Sequence, residues 1–465
     1  MFLKLKNNLE ILFFRSAKVL LNVVFRRQGD VLPAHILKKM DKNIFDEFAR
    51  DVSSYDIPRI IITGTNGKTT TANLIGSAFR ISGKKICFNA NGANMPNGVF
   101  GAVIGCYSLN GKFIPELVLL ESDEKVFPYI AAKIKPDTIV VTNFFRDQLD
   151  RYGEVNITVH NIKRVIKDIL PAAFLILPAD EPLASFIGYG LKNPRLYYGF
   201  KKDIKKGNDN DNDNDGSLRR SDMLNDAVSC PNCGNILTCE ENYAGVSLKY
   251  SCKVCGYKNS APDILAFHCG DEKICFDLKD LPRTFSFKRA LSGEYNISNY
   301  MAAFCVLKHY GLSNETVIFA FENYITKFGR SYKKVINGIK INIDLVKNPA
   351  GFNGVLGKIA FKENPVNVLL AFSDRDADGR DVSWIWDTNF EKFVKKFNRV
   401  VITGLRPYDM ALRLKTAGIN SDNITVVYGI KKALRKIIEL ASKDNAEVFI
   451  LPTYTELLRL KKYIR

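Results

Sequence analysis

The sequence predicts an α/β protein with a central phosphate-loop domain, an inserted four-cysteine zinc ribbon and a Rossmann-like C-terminal domain. Three observations predict it. The apolar run Pro58 to Thr63 ends in a glycine turn and leads into a helical pattern from Thr69 to Ile81. Apolar runs of strand length alternate with helical stretches over most of the chain, which is the pattern of a parallel α/β sheet. Two Cys-x-x-Cys pairs, Cys230/Cys233 and Cys252/Cys255, fall in a short stretch of different composition.

Residues 1–50 form a lead-in segment. Leu5, Leu9, Leu12, Val19 and Val23 recur at roughly helical spacing, so residues 2–26 read as a basic amphipathic helix. Lys4, Lys6, Glu10, Arg15 and Lys18 interrupt it too often for a signal peptide or a bilayer span. Docking on the protein's own core is the expectation, and a peripheral contact with a membrane surface is the alternative. The central domain is placed at 51–330, with strands at Pro58 to Thr63, Leu117 to Leu120, Thr138 to Thr142 and Ala173 to Leu177. An insert is placed at 207–280, where the run GNDNDNDNDG offers nothing apolar to bury and reads as a solvated loop. A helix from Asn296 to Tyr310 resumes the domain. The C-terminal domain, 331–465, has strands near Lys340 to Leu345, Val366 to Phe372, Arg399 to Thr403, Ile424 to Val427 and Glu447 to Leu451.

Of the 465 residues, 46% are hydrophobic and 25% charged, which excludes a disordered chain. The net charge of +18 favours an anionic partner without choosing among nucleic acid, membrane and pyrophosphate. Six of the ten cysteines are scattered, so a metal site in a cytoplasmic protein is expected rather than a disulfide framework.

The turn Gly64-Thr65-Asn66-Gly67-Lys68-Thr69-Thr70 offers backbone N–H groups and a helix N-terminus to phosphates. Lys68 adds a point charge, and Thr69 an oxygen for Mg²⁺. Ile62 stands where the general pattern has its first glycine, so this is a shortened variant. Lys68 serves phosphates on this reading, and its replacement is expected to spare the fold.

TGTNGKTTT and the motifs that follow it resemble the Mur ligase family, ATP-dependent enzymes that join amines to carboxylates through acyl phosphates. TNFFRDQLDRYGE (142–154) is similar to that family's TN-x-x-x-DHLD segment, with Gln148 at the histidine position. LSGEYNISNYMAA (291–303) is similar to its adenine-side motif, with Tyr295 in place of a histidine. Phe328-Gly329-Arg330 matches its PGR element. The resemblance implies ATP and Mg²⁺ held by Gly64, Asn66, Gly67, Lys68, Thr69 and Thr70. Glu121 is implied as a Mg²⁺ ligand, with Glu124 as competitor, Asn296 at the adenine and Arg330 at the γ-phosphate. Lys163 lies near the position of a lysine that most members carbamylate, one residue out of step.

With only about 55 residues ahead of the phosphate loop, the domain that grips a uridine nucleotide in other members is not expected here. IDLVKNPAGF (343–352) resembles the family's DYAHNPAG, with Lys347 for the histidine. AFSDRDADGRDVSWIWD (371–387) and QGDVLP (28–33) are similar to one branch, the ligase-like subunit of lipid II isoglutaminyl synthase. That branch implies amidation of the D-glutamate α-carboxylate of lipid II, with ammonia from a separate glutaminase subunit of the GatD type. Asp381 is the candidate catalytic carboxylate beside Lys68. Asp344 and Asp387 are the alternatives, and a helix cap is the plainer role for Asp381. The site of action would be cytoplasmic, at the inner face of the membrane. A stand-alone amino-acid ligase is the alternative function, and a zinc-ribbon, nucleotide-dependent nucleic-acid factor ranks below it.

The four cysteines Cys230, Cys233, Cys252 and Cys255 have the spacing of a structural Zn²⁺ site with no open position for catalysis. Few aromatic and basic residues accompany them, so no nucleic-acid partner is expected.

Overall fold

The structure, a computed structural model, describes residues 2–23, 30–89, 92–145, 155–201, 229–243, 246–269, 273–279, 281–291, 293, 295–325, 332–360, 362–375 and 378–464. The chain opens with helices α1 (Phe2–Val23), α2 (Val31–Met40) and α3 (Ile44–Ser54). Then follow β1 (Arg59–Thr63), α4 (Lys68–Ile81), β2 (Ile86–Phe88), α5 (Pro96–Ile104), β3 (Leu117–Glu121), α6 (Phe127–Ile134) and β4 (Thr138–Val141). Next come α7 (Val155–Ile169), β5 (Phe174–Pro178), α8 (Pro182–Gly188) and β6 (Arg195–Phe200). The hairpin β7 (Thr238–Tyr243) and β8 (Val246–Ser251) precedes β9 (Ile264–His268), β10 (Lys273–Leu278) and β11 (Leu281–Lys288). Helices α9 (Tyr295–His309) and α10 (Asn314–Glu322) complete this unit.

These strands make a nine-stranded sheet in the order β11-β10-β9-β6-β5-β4-β1-β3-β2. It is parallel from β2 across to β9 and antiparallel at β9-β10-β11. Helix α3 puts Ile44, Phe45, Phe48, Ala49 and Val52 on one face, at the spacing that one side of a helix requires, and buries them on one side of the sheet. The other side is covered by α4, α9 and α10, and α9 is buried almost all round. Burial on both faces is why the central strands read as unbroken apolar runs.

A second, six-stranded sheet follows, in the order β12-β13-β17-β14-β15-β16. Its strands are β12 (Tyr332–Ile336), β13 (Ile339–Ile343), β14 (Val366–Phe372), β15 (Phe397–Gly404), β16 (Ile424–Val426) and β17 (Val448–Pro452). Helices α11 (Pro349–Ala360), α12 (Pro407–Thr416), α13 (Ile430–Asp444) and α14 (Tyr454–Ile464) pack on its two sides over separate cores. Only β12 runs antiparallel.

The insert drawn at 207–280 is too long at its C-terminal end. β9 and β10, residues 264–278, belong to the large sheet, β9 pairing with β6 through Tyr198 to Phe200. They escape the strand-helix pattern because no helix separates β9 from β10 or β10 from β11. The cysteine expectation also needs a correction, since Cys269 and Cys275 form a disulfide across the start of β10. Helix α1 buries Ile11 and Phe14 in the large core, as the docking expectation requires. Among the described residues no helix is long and apolar enough to cross a membrane.

Candidate phosphate site and cysteine cluster

β1 ends at Thr63, and the chain turns through Gly64 and Gly67, whose φ angles of 123° and 86° suit glycine alone. Space gives a second reason. A Cβ on Gly64 would meet Asn143 O at 2.7 Å, and one on Gly67 would strike the Asn299 side chain. The turn is braced by Thr142 and Asn143 at the end of β4. Thr65 N donates to Asn143 O (2.8 Å), Asn66 N to Asn143 Oδ1 (2.9 Å) and Thr142 Oγ1 to Asn66 O (2.7 Å). This supplies a physical reason for a Thr-Asn pair at that point, a role the sequence alone did not assign.

Helix α4 makes its first intrahelical bond from Thr71 N to Gly67 O. The N–H groups of Lys68, Thr69 and Thr70 precede it and point out of the helix end, where an anion is favoured. Lys68 Nζ lies 3.1 Å from Glu124 Oε2 and also donates to the Gly64 and Thr65 carbonyls. Burial would depress this ammonium, but Glu124, Asp123 and Glu121 outweigh it and hold it above its ordinary value. Burial would raise Glu124, yet Lys68 and Lys347 hold it below the usual carboxylate range. Asp123 is raised, by burial and by Glu124 beside it.

Glu121 is fully buried at the end of β3, its backbone clamped by Asn89 in both directions (2.8 and 2.7 Å). A Cβ on Gly92 would lie 3.7 Å from Glu121 Oε1 and 3.8 Å from Thr69 Oγ1. Those two oxygens therefore face one small space that glycine leaves open, a donor set suited to Mg²⁺. Glu124, the competitor for that role, is the partner of Lys68 and Thr65 instead (Thr65 Oγ1 to Glu124 Oε1, 3.0 Å).

Asn299 on α9 accepts from Thr71 Oγ1 (3.3 Å) and donates to Asn296 Oδ1 (3.0 Å), which sets the buried Asn296 one turn from the loop. From the second sheet, Asn348 exchanges side-chain hydrogen bonds with Asn66 (3.3 and 3.2 Å) and caps α11 through Gly351 N (2.8 Å). Lys347 is close enough to lower both Glu124 and Asp123. The buried Asp344 accepts from Lys358 Nζ (3.0 Å), which also lies over the Tyr295 ring at 5.0 Å. Tyr295 and Lys347, two of the three residues at family histidine positions, thus sit at the junction of the two units, and the third, Gln148, lies outside the described residues.

Other candidates fall elsewhere. Asp381 Oδ1 accepts from Ser383 N (2.8 Å) two residues before the 3₁₀ turn Ser383–Asp387, a local structural contact, and Asp387 is exposed at the end of that turn. Lys163 Nζ donates to Phe186 O (2.9 Å) and lies over the Phe186 ring, at the far end of α8. Burial pushes it down to about 8, but no contact links it to the phosphate loop. Arg330, with Phe328 and Gly329, lies outside the described residues, as does the DQLD portion of 146–154.

The sulfurs of Cys230, Cys233, Cys252 and Cys255 all lie within 4.8 Å of one another. Two tight turns present them: Cys230 N donates to Asn235 O and Cys252 N to Tyr257 O, with Gly234 and Gly256 at positive φ. Tyr250 Oη donates to Ala179 O (3.2 Å) and Tyr257 Oη to Pro182 O (2.6 Å), which docks the ribbon on the loop between β5 and α8.

Residues 62–229 match the Mur ligase middle domain and residues 345–457 the MurT ligase C-terminal domain. The chain is 33% identical to the MurT subunit of lipid II isoglutaminyl synthase (glutamine-hydrolyzing) of Staphylococcus aureus strain COL, over 93% of this chain and 92% of that one. It is 29% identical to the subunit of the same name from Streptococcus pneumoniae, over 99% and 98% of the two chains. A pseudomurein peptide ligase type C from Methanothermus fervidus has a similar fold, with TM-score 0.65 at 20% identity over 89% of this chain and 80% of that one.

Proposed function

Because this chain belongs to the Mur ligase family, in its MurT branch, we propose that it is the ligase subunit of a glutamine-dependent lipid II isoglutaminyl synthase. The observation that carries the proposal is the near-full-length match to MurT together with a phosphate loop that the second unit closes through Asn348 and Lys347.

In the proposed reaction an oxygen of the D-glutamate α-carboxylate attacks the γ-phosphorus of ATP, and ADP leaves. Ammonia then attacks the carbonyl carbon of the acyl phosphate, inorganic phosphate leaves, and the nitrogen gives up a proton as the amide forms. Lys68 and the N–H groups of Lys68 to Thr70 hold the phosphates. Thr69 and Glu121 would hold Mg²⁺, which supplies neutralisation of phosphate oxygens when bound. Asn296 is assigned to the adenine and Arg330 to the γ-phosphate on the motif match. For the carboxylate that receives ammonia, burial and position favour Asp344 over Asp381 and Asp387. It follows β13 three residues before Lys347 and is already paired with a lysine.

Ammonia would come from a GatD-type glutaminase. A surface for it is offered by α12, where exposed Tyr408 and Leu412 lie one turn apart and Tyr428 meets Tyr408 at 6.4 Å between ring centroids. Tyrosine-rich patches of this kind carry protein interfaces. The four-cysteine cluster would hold a structural Zn²⁺. The substrate places the reaction at the inner membrane face.

The test is amidation of lipid II in detergent with ATP, Mg²⁺ and ammonium salt, read by mass spectrometry of the product. Conversion of one carboxylate to an amide is expected without the glutaminase. Attachment of an amino acid, with ammonia ignored, would replace this reading with that of a stand-alone ligase.

A further inference from the structure

Helix α1 has two apolar faces, and the fold uses only one. Ile11 and Phe14 are buried in the large core, and Arg15 donates to the Tyr107 carbonyl while Lys18 pairs with Asp30. The helix is therefore fixed in orientation. On its outward face Leu9, Leu12, Phe13, Val19 and Leu20 are 36–63% exposed, and Ser16 is the polar residue among them. At 100° per residue these positions fill a stripe about 120° wide. By the same periodicity Arg15 lies beside the stripe. Helix α2, packed against α1, adds exposed Val31, Leu32 and Met40, with exposed Lys39 and Lys42 among them.

We propose that the outward face of α1 docks the protein on an anionic lipid bilayer, the helix lying in the headgroup plane with Leu9, Leu12, Phe13, Val19 and Leu20 turned toward the acyl chains. An apolar stripe with Arg15 beside it, and with exposed Lys39 and Lys42 at the end of the neighbouring helix, is what such a surface binds. Charge separates this occupant from the others. A second copy would bring cations against cations across a two-fold interface. A protein partner has, on the proposed function, its own surface at Tyr408 and Tyr428, which is edged by the ion pairs of Arg406 with Asp409 and Asp374. The inference rests on the proposed function only in expecting a membrane-borne substrate, and the docking itself needs neither lipid II nor ATP.

The test is flotation of the full chain with vesicles of phosphatidylglycerol and phosphatidylcholine, against vesicles of phosphatidylcholine alone. Wild type is expected to float with the anionic vesicles, less so at high salt. Leu12→Glu/Leu20→Glu should lower that partitioning about tenfold or more. Both side chains point away from the core, so its melting temperature and its amidation of lipid II in detergent should match wild type. Wild type left at the bottom of the gradient with anionic vesicles overturns the proposal. So does a double variant that floats equally well, or one whose only change is loss of self-association in sedimentation. Failed flotation with intact amidation removes the docking and leaves the proposed reaction standing.

Discussion

Replacing Lys68 by methionine is expected to weaken the fold as well as stop ATP turnover, and the two effects can be separated. The sequence alone suggested a residue that serves phosphates and spares the fold. In the structure Lys68 and Glu124 are 5% and 6% exposed and 3.1 Å apart. Removing one partner of a buried ion pair leaves the other charged in apolar surroundings, at a cost of about 3–5 kcal/mol. For a unit of this size that corresponds to a fall in Tm of roughly 6–20 °C. Glu124 is held low in the native protein, so its contribution is present above the unfolded value near about 4.3 and lost as pH falls through the folded value. Lys68 is held high, so its contribution is present below the unfolded value of about 10.4 and lost as pH rises through the folded value. The wild-type pair therefore stabilises across the neutral range. In Lys68→Met the Glu124 carboxyl loses its main counter-charge, and the deficit should be larger at pH 8 than at pH 5, where a proton can replace the lysine. The double variant Lys68→Met/Glu124→Gln is expected to regain most of the lost Tm while turning over no ATP. Calorimetry at both pH values and a single-turnover ATP assay decide the matter. A single variant that melts with wild type refutes the structural part, and a double variant that turns over ATP refutes the phosphate role.

Cys230→Ser should lower bound zinc from about one per chain to well below that, and protease should then cut the ribbon first; unchanged metal content by atomic absorption would exclude this cluster. Asp344→Asn should retain ATP binding and lose ammonium-dependent amidation by about 10²- to 10⁴-fold. Asp381→Asn should stay within a few-fold of wild type, since the asparagine side-chain oxygen can also accept from Ser383 N, and the reverse ranking would return the role to Asp381. Tyr408→Ala/Leu412→Asp should weaken glutaminase binding by about tenfold or more with free-ammonium activity unchanged, and co-purification at wild-type yield would place the interface elsewhere.

What could be read from the sequence divides along physical lines. The phosphate loop, α4 and the buried parallel strands β1, β3, β4, β14 and β17 were legible because glycine turns and long β-branched runs are local signals. The ribbon was legible because its spacing is itself the chemistry. β9 and β10 were not, because each is short and has no helix beside it in the chain, and its identity comes from the neighbour it joins. Glu124 illustrates the harder limit. It stands three residues beyond Glu121, and either could have been a metal ligand on sequence. Only the packing of β3 against β1 turns Glu121 toward Thr69 and Glu124 toward Lys68. The bracing of the loop by Asn143 was equally invisible, since it joins two strand ends 77 residues apart.

The charges of the site also explain how a buried lysine can be ready for a phosphate. An exposed ammonium would have to shed water to meet a nucleotide, and that desolvation would be charged against binding. Lys68 is already dry, held by Glu124 and two carbonyls of its own loop. A phosphate that takes the place of Glu124 exchanges one anion for another, so the lysine changes partner without a new desolvation cost. Glu124 then has Lys347 to face, a residue that the second unit carries on the same loop as Asn348. A histidine at position 347 would be cationic only in part at neutral pH, whereas lysine supplies a full charge. The same pair of carboxylates, Glu124 and Asp123, in this way ties Lys347 of the second unit to the Lys68 side of the loop.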